Sequence, residues 1–260
     1  ETVAVKLVAT SSLTGCNQDE RVILSKLSHR NIVQYITFIP DADRLTTKIL
    51  LECCDQSLRD LLHTNLMSES FKIELCKQLA DGLSHMHFQK LAHRDLKPSN
   101  VLVRGRTLKI ADFGIAKPAT VGIAAHTVTT RVGSTGFQAP EIITGARDVD
   151  FMRADCFSLG LLFHLILTRQ HPFGDEFAGR VDKIVNRYDN DGEDRMCLSP
   201  LLSSAASELL KKLLKHAAGE RPRSAISALN SPFFENHSIH EPLATLVIDV
   251  TEYLGVSRVV

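Results

Sequence analysis

The stretch from Ala92 to Gly114 constrains this chain more than any other part of it. It reads Ala-His-Arg-Asp-Leu-Lys-Pro-Ser-Asn-Val-Leu-Val, then Arg-Gly-Arg-Thr-Leu-Lys-Ile-Ala, then Asp-Phe-Gly. Two apolar runs inside it, Val101 to Val103 and Leu108 to Ile110, have the length and composition of short strands. Asp95, Lys97, Asn100 and Asp112 therefore set two carboxylates, an ammonium and an amide on either side of those strands. A set of that composition suits a metal ion and phosphate.

The chemistry asks for these residue types. Moving a terminal phosphoryl group from a magnesium nucleotide requires little covalent work by protein, so catalysis is mostly positioning and charge stabilisation. Magnesium prefers oxygen ligands and keeps several waters, so one or two carboxylate or amide oxygens suffice beside the phosphates. Asp112 and Asn100 fit that role. Asp95 can orient an incoming hydroxyl and accept its proton, and Lys97 can neutralise charge on the moving group. Losing one such preorganised donor typically costs about 3 to 4 kcal/mol of barrier. The competing reading is a hairpin with polar loop residues in a loop-rich domain.

His93 to Asn100 and Asp112-Phe113-Gly114 resemble the catalytic loop and metal-binding motif of eukaryotic protein kinases. Ala139-Pro140-Glu141 follows at a plausible activation-segment distance, preceded by Gly133-Ser134-Thr135-Gly136-Phe137. The resemblance runs from about Val3 to Phe234. It implies an α+β, bilobal protein-kinase-like fold with a truncated small β-rich N-lobe over 1–52, a hinge at 53–56, and a mainly helical C-lobe over 57–236. A C-terminal helical extension would occupy 237–260. ATP and Mg2+ are the implied cofactors, with protein hydroxyls as acceptors. Lys97 points to serine or threonine rather than tyrosine.

Thr2 to Val8 reads as a strand with Thr2, Ala4, Lys6 and Val8 on one face. A lone strand lysine is usually an edge or surface residue. Asn17 to Leu27 has helical character, and Glu20 falls on its inward stripe, where a carboxylate needs a partner. Lys6 is the candidate, in the manner of the kinase strand lysine that holds nucleotide phosphates and is held by a helix glutamate. Asn31 to Ile39 and Thr46 to Glu52 read as two more strands joined at Asp41-Ala42-Asp43-Arg44. The resemblance makes Leu51 the guard of a back pocket and gives the base to the backbones of Glu52 and Cys54, with side chains there as bystanders. Ala4 and Leu102 complete the implied nucleotide-binding set.

From Ser57 the period becomes helical, and Cys76, Leu79, Ala80, Leu83, Met86 and His87 form a stripe on a long helix. His85 and His87 do not share a helix face, so packed or surface histidines are expected rather than zinc ligands. Lys117 to Val132 carries Thr120, Thr127, Thr129 and Thr130. Threonine-rich loops are usually only solvated. The kinase resemblance makes Thr130, with Thr129 and Thr127, phosphosite candidates whose phosphate would meet Arg94. It gives Ser134 the bridge between Asp95 and Lys97. His93, Arg94 and Phe113 take structural roles, Asp155 receives backbone hydrogen bonds from the catalytic loop or acts as a helix cap, and Arg221 pairs with Glu141. Phe157 stands where the family more often has tryptophan.

Thirty basic residues balance thirty acidic ones, so charge gives no reason to expect nucleic acid or a membrane surface as partner. The eleven-residue apolar run Phe157 to Leu167 carries His164 and is too short to cross a bilayer, so it reads as a buried core helix. The six cysteines lack metal-ligand or redox-pair spacing, which suits reduced thiols in the cytoplasm. Leu51-Glu52-Cys53-Cys54, Phe157, His171-Pro172-Phe173-Gly174 and Pro232-Phe233-Phe234 together look like the inositol-requiring sensor kinase/nucleases of the unfolded-protein response. That subfamily implies the cytosolic face of the endoplasmic reticulum and a homodimer for trans-autophosphorylation. A glycine-rich loop is expected before the Lys6 strand, and the sequence starts after that point, as a fragment or excised domain would. The absent lid keeps a second function in view: a nucleotide-binding, pseudokinase-like switch with little catalysis. The intact polar set argues against it.

Overall fold

The computed structural model describes residues 2–9, 27–40, 46–64, 67–113, 116–118, 135–174, 176–188 and 191–235. In chain order these form β1 (Val3–Ala9), β2 (Tyr35–Pro40), β3 (Thr46–Glu52), β4 (Gln56–Ser57), α1 (Leu58–His63), α2 (Glu69–Phe88) and β5 (Leu91–Ala92). After a 3-10 turn at Pro98–Asn100 come β6 (Val101–Arg104), β7 (Thr107–Ile110) and β8 (Lys117–Pro118). The helices α3 (Pro140–Ile143), α4 (Phe151–Thr168), α5 (Phe177–Val185), α6 (Ser204–Leu213), α7 (Ile226–Leu229) and α8 (Pro232–Glu235) complete the series. The result is α+β and bilobal, a small sheet followed by a helical body.

The small sheet is antiparallel in the order β1-β3-β2. Alternation along β1 is plain: Val3, Val5 and Leu7 are exposed, whereas Ala4 and Lys6 are half-buried. Lys6 lies opposite Ile49 and Ala4 opposite Leu51, so both sit on the face where Ile49 is fully buried. Strand β2 starts at Tyr35, later than the expected Asn31. Residues 31–33 are diverted to the helical body, where the Ile110 N–H donates to Asn31 O and the Val33 N–H to Ile110 O, both at 2.9 Å. Ile32 pairs in parallel with Ile110, adding a fourth chain beside β7 to the sheet of order β4-β6-β7.

That hairpin turns at Gly105, whose φ of +57° suits a residue without a Cβ. In the body, α2 packs against β7 and α4, and α4 against α6. Helices α2, α4 and α6 each have a polar side chain capping their start. Ser68 accepts from the Phe71 N–H at 3.2 Å, Asp150 from the N–H groups of Met152 and Arg153, and Ser203 from Ala206. Helix α4 runs 18 residues, beyond the eleven-residue apolar run, and is long and apolar enough to cross a hydrocarbon layer. Here it is the core, with Cys156, Leu159, Leu161, Leu162, Phe163 and Ile166 at 0% exposure. Such a fully buried side chain contributes about 1.5 to 3 kcal/mol as a leucine or phenylalanine, and water excluded by protein serves as well as lipid.

Candidate active site

The loop from His93 to Asn100 is held from below by one carboxylate. Asp155 on α4 is 2% exposed and accepts the backbone N–H groups of His93 at 2.7 Å and Arg94 at 2.8 Å. His87 at the end of α2 adds a third contact, Nε2 to Asp155 Oδ2 at 3.1 Å. Its Nδ1 accepts the Ala225 N–H at 3.1 Å, so the ring proton sits on Nε2 and is donated to Asp155. The cap of α4 is Asp150, which leaves the catalytic-loop role for Asp155. Arg94 sits at φ +72° and Asp112 at φ +63°, left-handed values that cost a non-glycine residue about 1 to 3 kcal/mol and cluster at functional sites.

Above that support the polar set converges. Lys97 Nζ donates to Asp95 Oδ2 at 2.6 Å. Asn100 Nδ2 donates to the Asp95 carbonyl at 2.9 Å and to Asp95 Oδ2 at 3.0 Å. With its nitrogen so engaged, the amide oxygen is the end of Asn100 available to a cation. The Ala111 N–H donates to Asn100 O at 2.9 Å, and His93 Nε2 meets Ala111 O at 2.9 Å. These bonds fix the loop against the residue preceding Asp112. The His93 ring also tilts against Phe113, centroids 5.4 Å apart. From the small sheet, Lys6 Nζ donates to Asp112 Oδ1 at 2.9 Å, with both side chains part-exposed.

Other expected residues fall as follows. Glu20, the proposed partner of Lys6, lies outside the described residues, as do Thr127, Thr129, Thr130, Ser134 and the 237–260 extension. The Arg94 guanidinium lies 4.1 Å over the Phe151 ring. Leu102 is half-buried in β6, between buried Val101 and Val103. Arg221 and Glu141 form a two-pronged pair, Nη1–Oε1 at 2.7 Å and Nη2–Oε2 at 2.8 Å. The guanidinium also donates to Lys215 O and His216 O and sits 4.9 Å from the Phe157 ring, so the phenylalanine supplies an aromatic wall for the buried cation.

Whatever its backbone offers the base, the Glu52 side chain is tied elsewhere. That side chain is 8% exposed and meets Lys109 Nζ at 2.7 Å and Arg104 Nη1 at 3.3 Å. It also accepts the Gln34 N–H at 2.7 Å. A buried carboxylate demands such partners, which is why the side chain cannot be indifferent. Burial, and then the nearby Glu52 charge, push the half-buried Cys54 thiol up to about 11.

Sequence reasoning missed the work of His87 and Lys109. His87 stood on the apolar stripe, and a polar group at such a position signals a buried partner. Lys109 gave no signal, because its partner lies in another sheet. A cavity of about 600 Å³ lined by residues including His29, Asp81, His85 and Arg223 takes none of Asp95, Lys97, Asn100 or Asp112 into its wall. The converging polar set is therefore a site of its own.

Residues 1–234 match the family model for the protein kinase domain. The chain is 29% identical over 206 residues to the serine/threonine-protein kinase STK11 of Homo sapiens, covering 76% of this chain and 46% of that protein. It is 30% identical over 249 residues to the serine/threonine-protein kinase/endoribonuclease ire-1 of Caenorhabditis elegans, covering 89% of this chain and 24% of that protein. It is 31% identical over 241 residues to the inactive serine/threonine-protein kinase PLK5 of Mus musculus, covering 88% and 38%. The chain thus spans less than half the length of each of these relatives. With the catalytic loop, the Asp112 turn and the buried Arg221–Glu141 pair in place, this chain belongs to the protein kinase family, among the serine/threonine kinases.

Proposed function

We propose that this chain transfers the terminal phosphoryl group of Mg-ATP to serine or threonine hydroxyls of a protein substrate. The observation that carries the reading is the single bonded set Lys97–Asp95–Asn100, which is hydrogen-bonded through Asn100 O to the N–H of Ala111, the residue before Asp112, itself paired with Lys6. Asp95 would orient the attacking hydroxyl and accept its proton, with Lys97 beside it to balance charge. Asn100 and Asp112 offer an amide oxygen and a carboxylate, the hard oxygen donors that magnesium takes, so the residues present fit that ion. Magnesium, when bound, would neutralise the phosphates. Lys6 would hold the phosphates from the small lobe, and the backbones of Glu52 and Cys54 would face the base.

The relative named as inactive gives weight to a second reading, a nucleotide-dependent switch without transfer. Radiolabelled ATP with a generic basic protein separates the two. Transfer that falls about 100-fold or more in Asp112→Asn, with the thermal midpoint within a few degrees of the unmodified chain, is the expected result. Nucleotide binding without transfer in the unmodified chain would select the switch. Equal transfer by both would remove Asp112 from the chemistry.

A further inference from the structure

Glu52 ends β3, and Asp55 lies three residues on. Both are fastened to the same hairpin. At one end the Glu52 carboxylate holds Lys109 of β7 and Arg104 of β6. At the other, the Asp55 N–H donates to Val103 O at 2.9 Å, and Asp55 Oδ2 accepts the Gly105 N–H at 2.7 Å. Cys53 and Cys54 are the short span between these two attachments. Strand β7 then runs through Ile110 and Ala111 directly into Asp112.

We propose that the Glu52 carboxylate with Lys109 and Arg104 is a positioning strut, holding the base-facing backbone at 52–54 at a fixed offset from the strand that delivers Asp112, and thereby setting nucleotide affinity. The inference rests on the kinase reading above and adds residues that touch neither phosphate nor metal in it. The Glu52–Lys109 pair is well placed for this, because both side chains are largely buried, at 8% and 12% exposure. Lys109 also donates to Arg30 O at 3.1 Å, so its ammonium cannot follow the carboxylate elsewhere without losing a second bond. A charge-assisted hydrogen bond of this kind is stronger than a neutral one. Removing one partner leaves the other charge buried, which forces local rearrangement. Rearrangement here moves the hinge relative to β7, and that is a displacement between the two ends of one ligand.

The test compares Glu52→Gln, Lys109→Met, their combination, and Lys109→Arg in the whole chain, reading the Kd for Mg-ATP by calorimetry and KM and kcat by transfer. Each of the first two should raise Kd and KM for ATP about tenfold, equivalent to about 1.4 kcal/mol, and in Lys109→Met kcat at saturating ATP should change by less than about twofold. The combination should be no weaker than the worse single variant, since each single change already removes the Glu52–Lys109 pair. Lys109→Arg should bind as the unmodified chain does. If Glu52→Gln loses its thermal transition, Lys109→Met carries the comparison. Unchanged Kd in Lys109→Met well below its midpoint would overturn the strut while leaving phosphoryl transfer standing. Binding without transfer in the unmodified chain would sink the transfer reading, and Kd alone would still decide the strut. Failure of the unmodified chain to bind Mg-ATP would overturn both.

Discussion

His171 shows how much one side chain can carry. Its Nδ1 accepts the Phe173 N–H at 3.2 Å, and its Nε2 meets Gly136 O at 2.9 Å, so the neutral ring tethers the end of the Thr135–Phe137 turn to the loop after α4. Burial, reinforced by the Arg180 charge, lowers it from 6.5 to about 3 against the pull of the Gly136 carbonyl. The folded state therefore binds fewer protons than the unfolded one between those values. This stability is complete above pH 6.5 and drains away as pH falls toward 3, at about 1.4 kcal/mol per pH unit. We expect urea midpoints to fall from pH 6.5 to 5, and His171→Gln to flatten that slope while lowering stability at pH 7. His29 and His164, also lowered by burial, keep some slope in the variant. An unchanged slope would refute the assignment. At this scale what was legible is the convergence of the motif's polar residues, Asp95, Lys97, Asn100 and Asp112. The site was illegible where a residue acts through a distant partner, as His87 does through Asp155 and Lys109 through Glu52, because one sequence does not say which strands become neighbours.

Elements were legible by period and blurred at their ends. The β6–β7 hairpin, β3 and the apolar stripe of α2 follow directly from alternation and helical spacing. The start of β2 did not, since residues 31–33 have strand composition and the hairpin of the other lobe takes them. The same junction makes Gly82 on α2 a close-contact position. A Cβ there would stand 2.7 Å from Asn31 O and 3.1 Å from Ile110 Cδ1, and the carbonyl is backbone already bonded to the Ile110 N–H. Alanine favours helix over glycine by about 1 kcal/mol, but overpacking of this kind costs typically 1 to 3 kcal/mol. Gly82→Ala should therefore destabilise the chain in chemical denaturation, with no gain from propensity. A more stable variant would show that the helix can slide away from Asn31.

Across the whole molecule, Arg221 binds late chain to the middle. Its guanidinium is fully buried and holds Glu141 with two bonds, and the side chain of Arg153 reaches back to the Arg221 carbonyl. Replacing Arg221 by leucine strands the Glu141 carboxylate, a loss of about 3 to 5 kcal/mol. Glu141→Gln in that background should restore part of it, and additive losses in denaturation midpoints would deny the coupling. No local pattern spells out this pair, which came from family resemblance alone, as did the two-lobed plan; the strand and helix periods showed only a strand-rich start followed by helices.

Residues 31–33 give the small sheet a second seam with the large body, beside the covalent crossing at 53–55. Shearing the sheet past the body would have to break the bonds that tie Asn31 and Val33 to Ile110, so this seam resists that displacement where the chain crosses.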